Sequence, residues 1–306
     1  MGRPDDPIFK STTVTRPRQT GHDEAAIKTY RYLRLGMLVA VAVLVWSVAE
    51  EYFQPGVHCL LGSFSSYYYT PVHAVFISVM VAIGFALIVI KGRTAAEDAS
   101  LSFAGMMAPL VAFIPTSEDP NGVCRKPMQN IGHYQPNPGS RFISASVSNN
   151  LHALVFAGYA ALALVLVAFF IQWVRTQTLE SIGTWINLAG GLVLVVTASI
   201  LLHWTYGWVL QSHERAAYTM FAFLALAAGA NTWSGFKQKN TTRAYAWTYG
   251  AVGAAMFVVG LVFVVLQHID RSVIGGHLVL FIEAAEILLF VIFWSVQTVE
   301  RWNGTV

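Results

Sequence analysis

Charge is what this chain has least of. Asp, Glu, Lys and Arg make up 11% of its 306 residues, against about 25% in an ordinary soluble domain. That excludes one apolar core inside a charged shell. Cysteine is almost absent: Cys59 and Cys124 are the two in the chain, too few for a disulfide-dense scaffold or a zinc-ribbon cluster. Familiar chemical signatures are missing as well. There is no His-Glu-x-x-His, no Cys-x-x-Cys, no Gly-x-Ser-x-Gly and no phosphate-cradling glycine loop. The net charge of +3 arises from a topological bias described below and gives no reason to expect nucleic acid as a partner.

What the chain does have is apolar sequence, 55% of it, in runs of about 20 residues, the length of a helix that crosses a hydrocarbon core. Eight such runs stand at about 35–53, 71–90, 99–115, 150–174, 184–204, 216–235, 245–267 and 274–297. The sixth is the weakest, because it carries Asn231 and Thr232. The expectation is an all-α, polytopic transmembrane bundle of eight helices, forming a single domain over 34–300. Residues 1–33 read as a basic, largely disordered tail whose 25–34 stretch is an interfacial helix feeding helix 1, and 301–306 as a short second tail. Helix 1 reads as an uncleaved signal anchor, since a long polar stretch precedes it.

Lys and Arg fix the expected orientation. With the N-terminus inside, fourteen of the nineteen fall on the cytoplasmic side and five outside: Arg125, Lys126, Arg141, Arg215 and Arg271. Both termini are then cytoplasmic. Outer loops fall at 54–70 and 116–148, and each contains one cysteine, Cys59 and Cys124. Two thiols on an oxidising face predict a disulfide. It would pin the long 116–148 segment, a candidate lid, over the first hairpin.

The same threading gathers histidine. His58, His73, His133, His152, His203, His213, His268 and His277 fall toward the outer side, and only His22 does not. With Glu50 and Glu51 at the end of helix 1, and Ser117, Glu118 and Asp119 after helix 3, they offer the donor types that zinc prefers. His73, His152, His213 and His277 are the candidate ligands. No spacing is diagnostic of a metal, interfacial imidazoles need no metal, and a haem between two imidazoles is a lesser alternative. No cofactor follows with certainty. The sharpest candidates are Glu283 and Glu286, within helix 8 and three residues apart, hence on one face. Ionisable groups at membrane depth are costly and point to function. A pair hydrogen-bonded to neighbouring helices is the plainer alternative.

The stretch Ser65-Ser66-Tyr67-Tyr68-Tyr69-Thr70-Pro71, with Ile114-Pro115-Thr116 further on, resembles a family of uncharacterised bacterial integral membrane proteins. In that family a Ser-x-Tyr-Tyr-Tyr-Thr-Pro motif opens a helix. The family has Arg-Asp where this chain has Val72-His73, and the likeness is confined mainly to 35–116. It implies a bacterial inner-membrane protein and no particular activity. A more distant similarity is to CREST-type membrane hydrolases, which set Ser, Asp and three His around zinc. Ser65 or Ser66, His73 and His152, with His213 or His277, would take those places, but eight helices and the lack of a paired His motif in the last helix depart from that pattern.

Three functional expectations follow. The leading one is a non-catalytic envelope protein that binds membrane lipids, or a protein partner at its outer loops. The second is a proton- or cation-coupled transporter working through Glu283 and Glu286. The third is a metal-dependent hydrolase acting on lipid.

Overall fold

The structure, a computed structural model, describes residues 21–116, 124, 141–176, 182–204, 212–237, 243–269 and 277–302. Among the described residues there are eight α-helices and no strand, the helical bundle that the apolar runs predict. We number them α1 (Gly21–Phe53), α2 (His73–Val89), α3 (Ala95–Phe113), α4 (Arg141–Thr176), α5 (Ile182–Trp204), α6 (Ser212–Lys237), α7 (Arg243–Ile269) and α8 (Leu278–Glu300). A 3-10 turn spans Ser65–Tyr69.

Ala25–Phe53, Ala145–Thr176, Arg243–Leu266 and Leu278–Glu300 are long and apolar enough to cross a membrane, and α2 and α5 hold shorter apolar helices. The more polar α3 and α6 occupy enclosed positions. Helix α3 touches α2, α4, α5 and α6, and its buried face is built from small residues, among them Ser100, Ser102, Ala104, Gly105, Ala108 and Ala112. Small residues permit close helix approach where apolar surface alone gives little drive. At the α2–α3 crossing a Cβ on Gly84 would meet the Gly105 carbonyl oxygen at 2.7 Å, and one on Gly105 would meet that of Gly84 at 2.5 Å. Both positions therefore require glycine.

Six helices close a ring: α1 touches α2, α2 touches α3, α3 touches α6, α6 touches α7, α7 touches α8, and α8 returns to α1. The α4–α5 hairpin stands outside it, packed mainly on α3. Phe156, Leu164, Phe170 and Val193 of that hairpin are exposed.

Local signals explain the boundaries. Thr94 caps α3, its hydroxyl accepting from the Glu97 amide at 3.1 Å. Glu97 and Asp98 in the first turn suit the positive end of the helix dipole. Helix α6 survives its polar residues because Asn231 and Thr232 donate to their own helix, to the carbonyls of Ala227 (3.0 Å) and Ala228 (2.9 Å).

Three expected boundaries change. Helix α1 begins at Gly21, so the helix expected over 25–34 starts four residues earlier and continues into the apolar run without a break. Helix α4 begins at Arg141, shortening the expected 116–148 loop. Arg301, assigned to a terminal tail, is buried. The rest of the N-terminal tail, most of the candidate lid, His133, and Ser117, Glu118 and Asp119 lie outside the described residues.

Candidate functional site

Two polar assemblies occupy opposite ends of the ring. At the first end the expected disulfide is present: Cys59 and Cys124 are bonded, with Cα atoms 5.5 Å apart. Beside it the Tyr-rich segment folds inward. Ser65, Ser66, Tyr67, Tyr68 and Tyr69 are all buried, so their polar groups need partners. The Thr70 hydroxyl donates to the Tyr67 carbonyl at 2.9 Å, and the Tyr69 hydroxyl to the Thr116 carbonyl at 2.7 Å. The Leu61 amide donates to the Tyr67 hydroxyl at 3.4 Å. Burial pushes the Tyr67 hydroxyl above its ordinary value, with the nearby Glu51 adding to the shift and the Leu61 contact opposing it.

Helix α8 clamps this segment. The Leu280 amide donates to the Gly62 carbonyl at 2.8 Å. The Glu283 carboxylate accepts from the Phe64 amide and, at 3.1 Å, from the Ser65 hydroxyl. One helical turn deeper, Glu286 is 3% exposed, and neither carboxyl oxygen has a hydrogen-bond partner. Its nearest glycine neighbour is Gly260 on α7. The two acids share a face, as their spacing predicts, but have different surroundings: Glu283 latches a loop and Glu286 is bare.

The described histidines do not assemble. His73 bonds through Nδ1 to the Tyr68 carbonyl at 2.6 Å, His152 to the Ser148 carbonyl at 2.7 Å, and His213 to the Ile114 carbonyl at 2.6 Å. His152 is exposed, while His213 is 4% exposed. His277 precedes α8 with Nδ1 unpartnered. Among the described residues no three His, Cys, Asp or Glu side chains stand close enough to hold a metal ion. The residues that zinc would use are thus distributed among separate local contacts. Glu50 is exposed and accepts from Gln54 at 3.4 Å, whereas Glu51 is buried; the two are not the jointly solvated pair that their adjacency suggests.

The second assembly was not expected from the sequence. At the opposite end of the ring, Glu97, Asn231, Gln297 and Arg301 are all at most 3% exposed. Arg301 donates to both oxygens of Glu97, at 2.8 and 3.1 Å, and to the Asn231 side-chain oxygen at 2.8 Å. Gln297 donates to Glu97 at 2.9 Å, and the Arg93 amide at 2.6 Å. Glu300 takes the Arg93 guanidinium at 2.8 Å and the Tyr249 hydroxyl at 2.6 Å. Asp98 takes Lys91 at 3.3 Å and the Asn187 amide at 3.1 Å. The network ties α3, α5, α6, α7 and α8 together. Its one trace in the sequence is Asn231, a polar residue within the sixth apolar run.

Comparison with known protein families, with characterised proteins and with solved structures finds no match. Fold and site define a helical bundle with four helices long and apolar enough to span a membrane.

Proposed function

We propose that this chain is a multi-pass bacterial inner-membrane protein, crossing eight times with both termini cytoplasmic, that takes up a proton or small cation at Glu286 and acts as a coupled carrier. The single observation behind this is the bare Glu286 carboxyl within a helical ring. An isolated buried carboxylate is costly in a low dielectric and is relieved by a proton or a cation. Glu283 supports the reading, because its bonds to Phe64 and Ser65 connect the same helix face to the loop that covers this end. A carrier needs such a link between ion site and entrance.

The leading expectation from the sequence, a non-catalytic envelope protein that binds lipid or a partner, becomes the second reading. It is favoured by the α4–α5 hairpin, which leaves Phe156, Leu164 and Phe170 exposed. A zinc hydrolase gains no support from residues that bind separate carbonyls, nor does a haem between paired imidazoles.

The test is flux in proteoliposomes. An imposed pH gradient should drive dissipation that the protein accelerates and that Glu286→Gln abolishes. Flux undiminished in that variant would remove Glu286 from the transport reading and leave the envelope protein as the better account.

A further inference from the structure

The charges of the second assembly can be matched one by one. Asp98 has Lys91, Glu300 has Arg93 and Glu97 has Arg301. Among the described residues one buried cation is left over: Arg34 on α1 is 4% exposed and makes no ion pair or hydrogen bond with another described residue. Arg301 and Glu97 lie within electrostatic range of it, but the hydrogen-bonding capacity of Glu97 is taken. One of its oxygens already takes Gln297 and Arg301, and the other takes Arg301 and the Arg93 amide. Among the described residues no further acid is paired with Arg34.

Unused donors lie along the same seam between α1 and α8. The Nε–H groups of Arg31, Arg34 and Arg301 are buried without acceptors. Arg31 stands one turn before Arg34 and lies over the Trp302 ring, 5.0 Å from its centre. A buried charge is tolerated when paired and hydrogen-bonded. A phosphate-class oxyanion matches guanidinium forks geometrically and neutralises more than one of them.

We propose that Arg34, with Arg31 and Arg301, forms a seat for one phosphate-bearing anion at the α1–α8 seam, at the end of the ring opposite the disulfide. The anion screens Arg34 from Arg301, accepts the free Nε–H donors and joins α1 to the network that already ties the other helices. Its source is either a free phosphate or the headgroup of an anionic phospholipid. Helix α1 packs mainly on α2 and α8, and Tyr32, Leu35 and Val39 on it are exposed, so lipid has access to the seam.

The experiment uses the full chain, delipidated in a neutral detergent. Thermal unfolding is followed while either inorganic phosphate or phosphatidylglycerol in mixed micelles is titrated in, with phosphatidylcholine as the control lipid. Stabilisation by phosphatidylglycerol alone identifies a headgroup seat, and equal stabilisation by phosphate identifies a free anion; either result is expected. Arg34→Gln should weaken the apparent affinity at least about tenfold, the loss of roughly one charge-assisted hydrogen bond. Arg34→Lys should keep part of it. Arg34→Gln should also be no less stable than the parent when no anion is present, because it removes an unpaired buried charge. No response to either anion, a response retained in Arg34→Gln, or a variant destabilised without anion would each overturn the proposal.

Discussion

Glu97 and Arg301, 204 positions apart in the chain, are joined by two hydrogen bonds of 2.8 and 3.1 Å with their side chains almost wholly buried. This pair links the first turn of α3 to the end of α8, and Asn231 and Gln297 add further hydrogen bonds to it. Removing one partner strands the other charge. Arg301→Met or Glu97→Gln alone should therefore destabilise the fold by about 3–5 kcal/mol, and the double substitution by much less than the sum. Denaturant unfolding of both singles and the double checks this. Additive losses would mean that the two do not act as a pair.

Glu283 acts through the loop that it latches. Glu283→Ala should release the Phe64 amide and the Ser65 hydroxyl, and hydrogen exchange should quicken across residues 62–70. Glu286→Gln should leave that exchange unchanged, since Glu286 bonds to none of these groups. Equal effects from the two substitutions would contradict the division of roles between them.

The disulfide closes a separation of 65 residues. Replacing Cys59 and Cys124 by serine should cost about 2–4 kcal/mol, and reductant should lower the melting temperature of the parent protein but not of the variant.

Two glycines offer a matched contrast. Gly105→Val meets the Gly84 backbone, which cannot yield as a flexible side chain does, so accumulation of folded protein should fall sharply. Gly229→Ala meets nothing within 4 Å and should be neutral or stabilise by about 0.5–1 kcal/mol, the helix-interior cost of glycine. Detergent-extractable yield and melting temperature separate the two cases.

The parts of this fold that were legible in sequence are those set by local composition. Each apolar run became a helix, and Cys59 and Cys124 paired. The functional detail depended on neighbours, which periodicity cannot supply. Arg93, Arg301 and Arg34 were counted as markers of the cytoplasmic face, yet Arg301 and Arg34 are buried and Arg93 is paired with Glu300; the partners of Arg93 and Arg301 come from helices distant in sequence. The histidines misled in the opposite direction. His73, His213 and His277 do fall at the starts of α2, α6 and α8, whereas His152 lies well inside α4; His73, His152 and His213 each turn toward a nearby carbonyl, and sharing a level is not convergence. The i, i+3 spacing placed Glu283 and Glu286 on one face. That Glu283 would be bonded and Glu286 bare depended on how the Tyr-rich segment folds back, which no pattern in α8 encodes.

The most direct test of the account is whether Glu286 holds a proton or cation. Infrared difference spectra of the purified protein, recorded across pH and with added monovalent cations, report a protonated carboxyl through its carbonyl stretch. The account predicts such a band that responds to pH or cation and is missing in Glu286→Gln. A band unchanged by that substitution, or no titrating carboxyl at all, would contradict it.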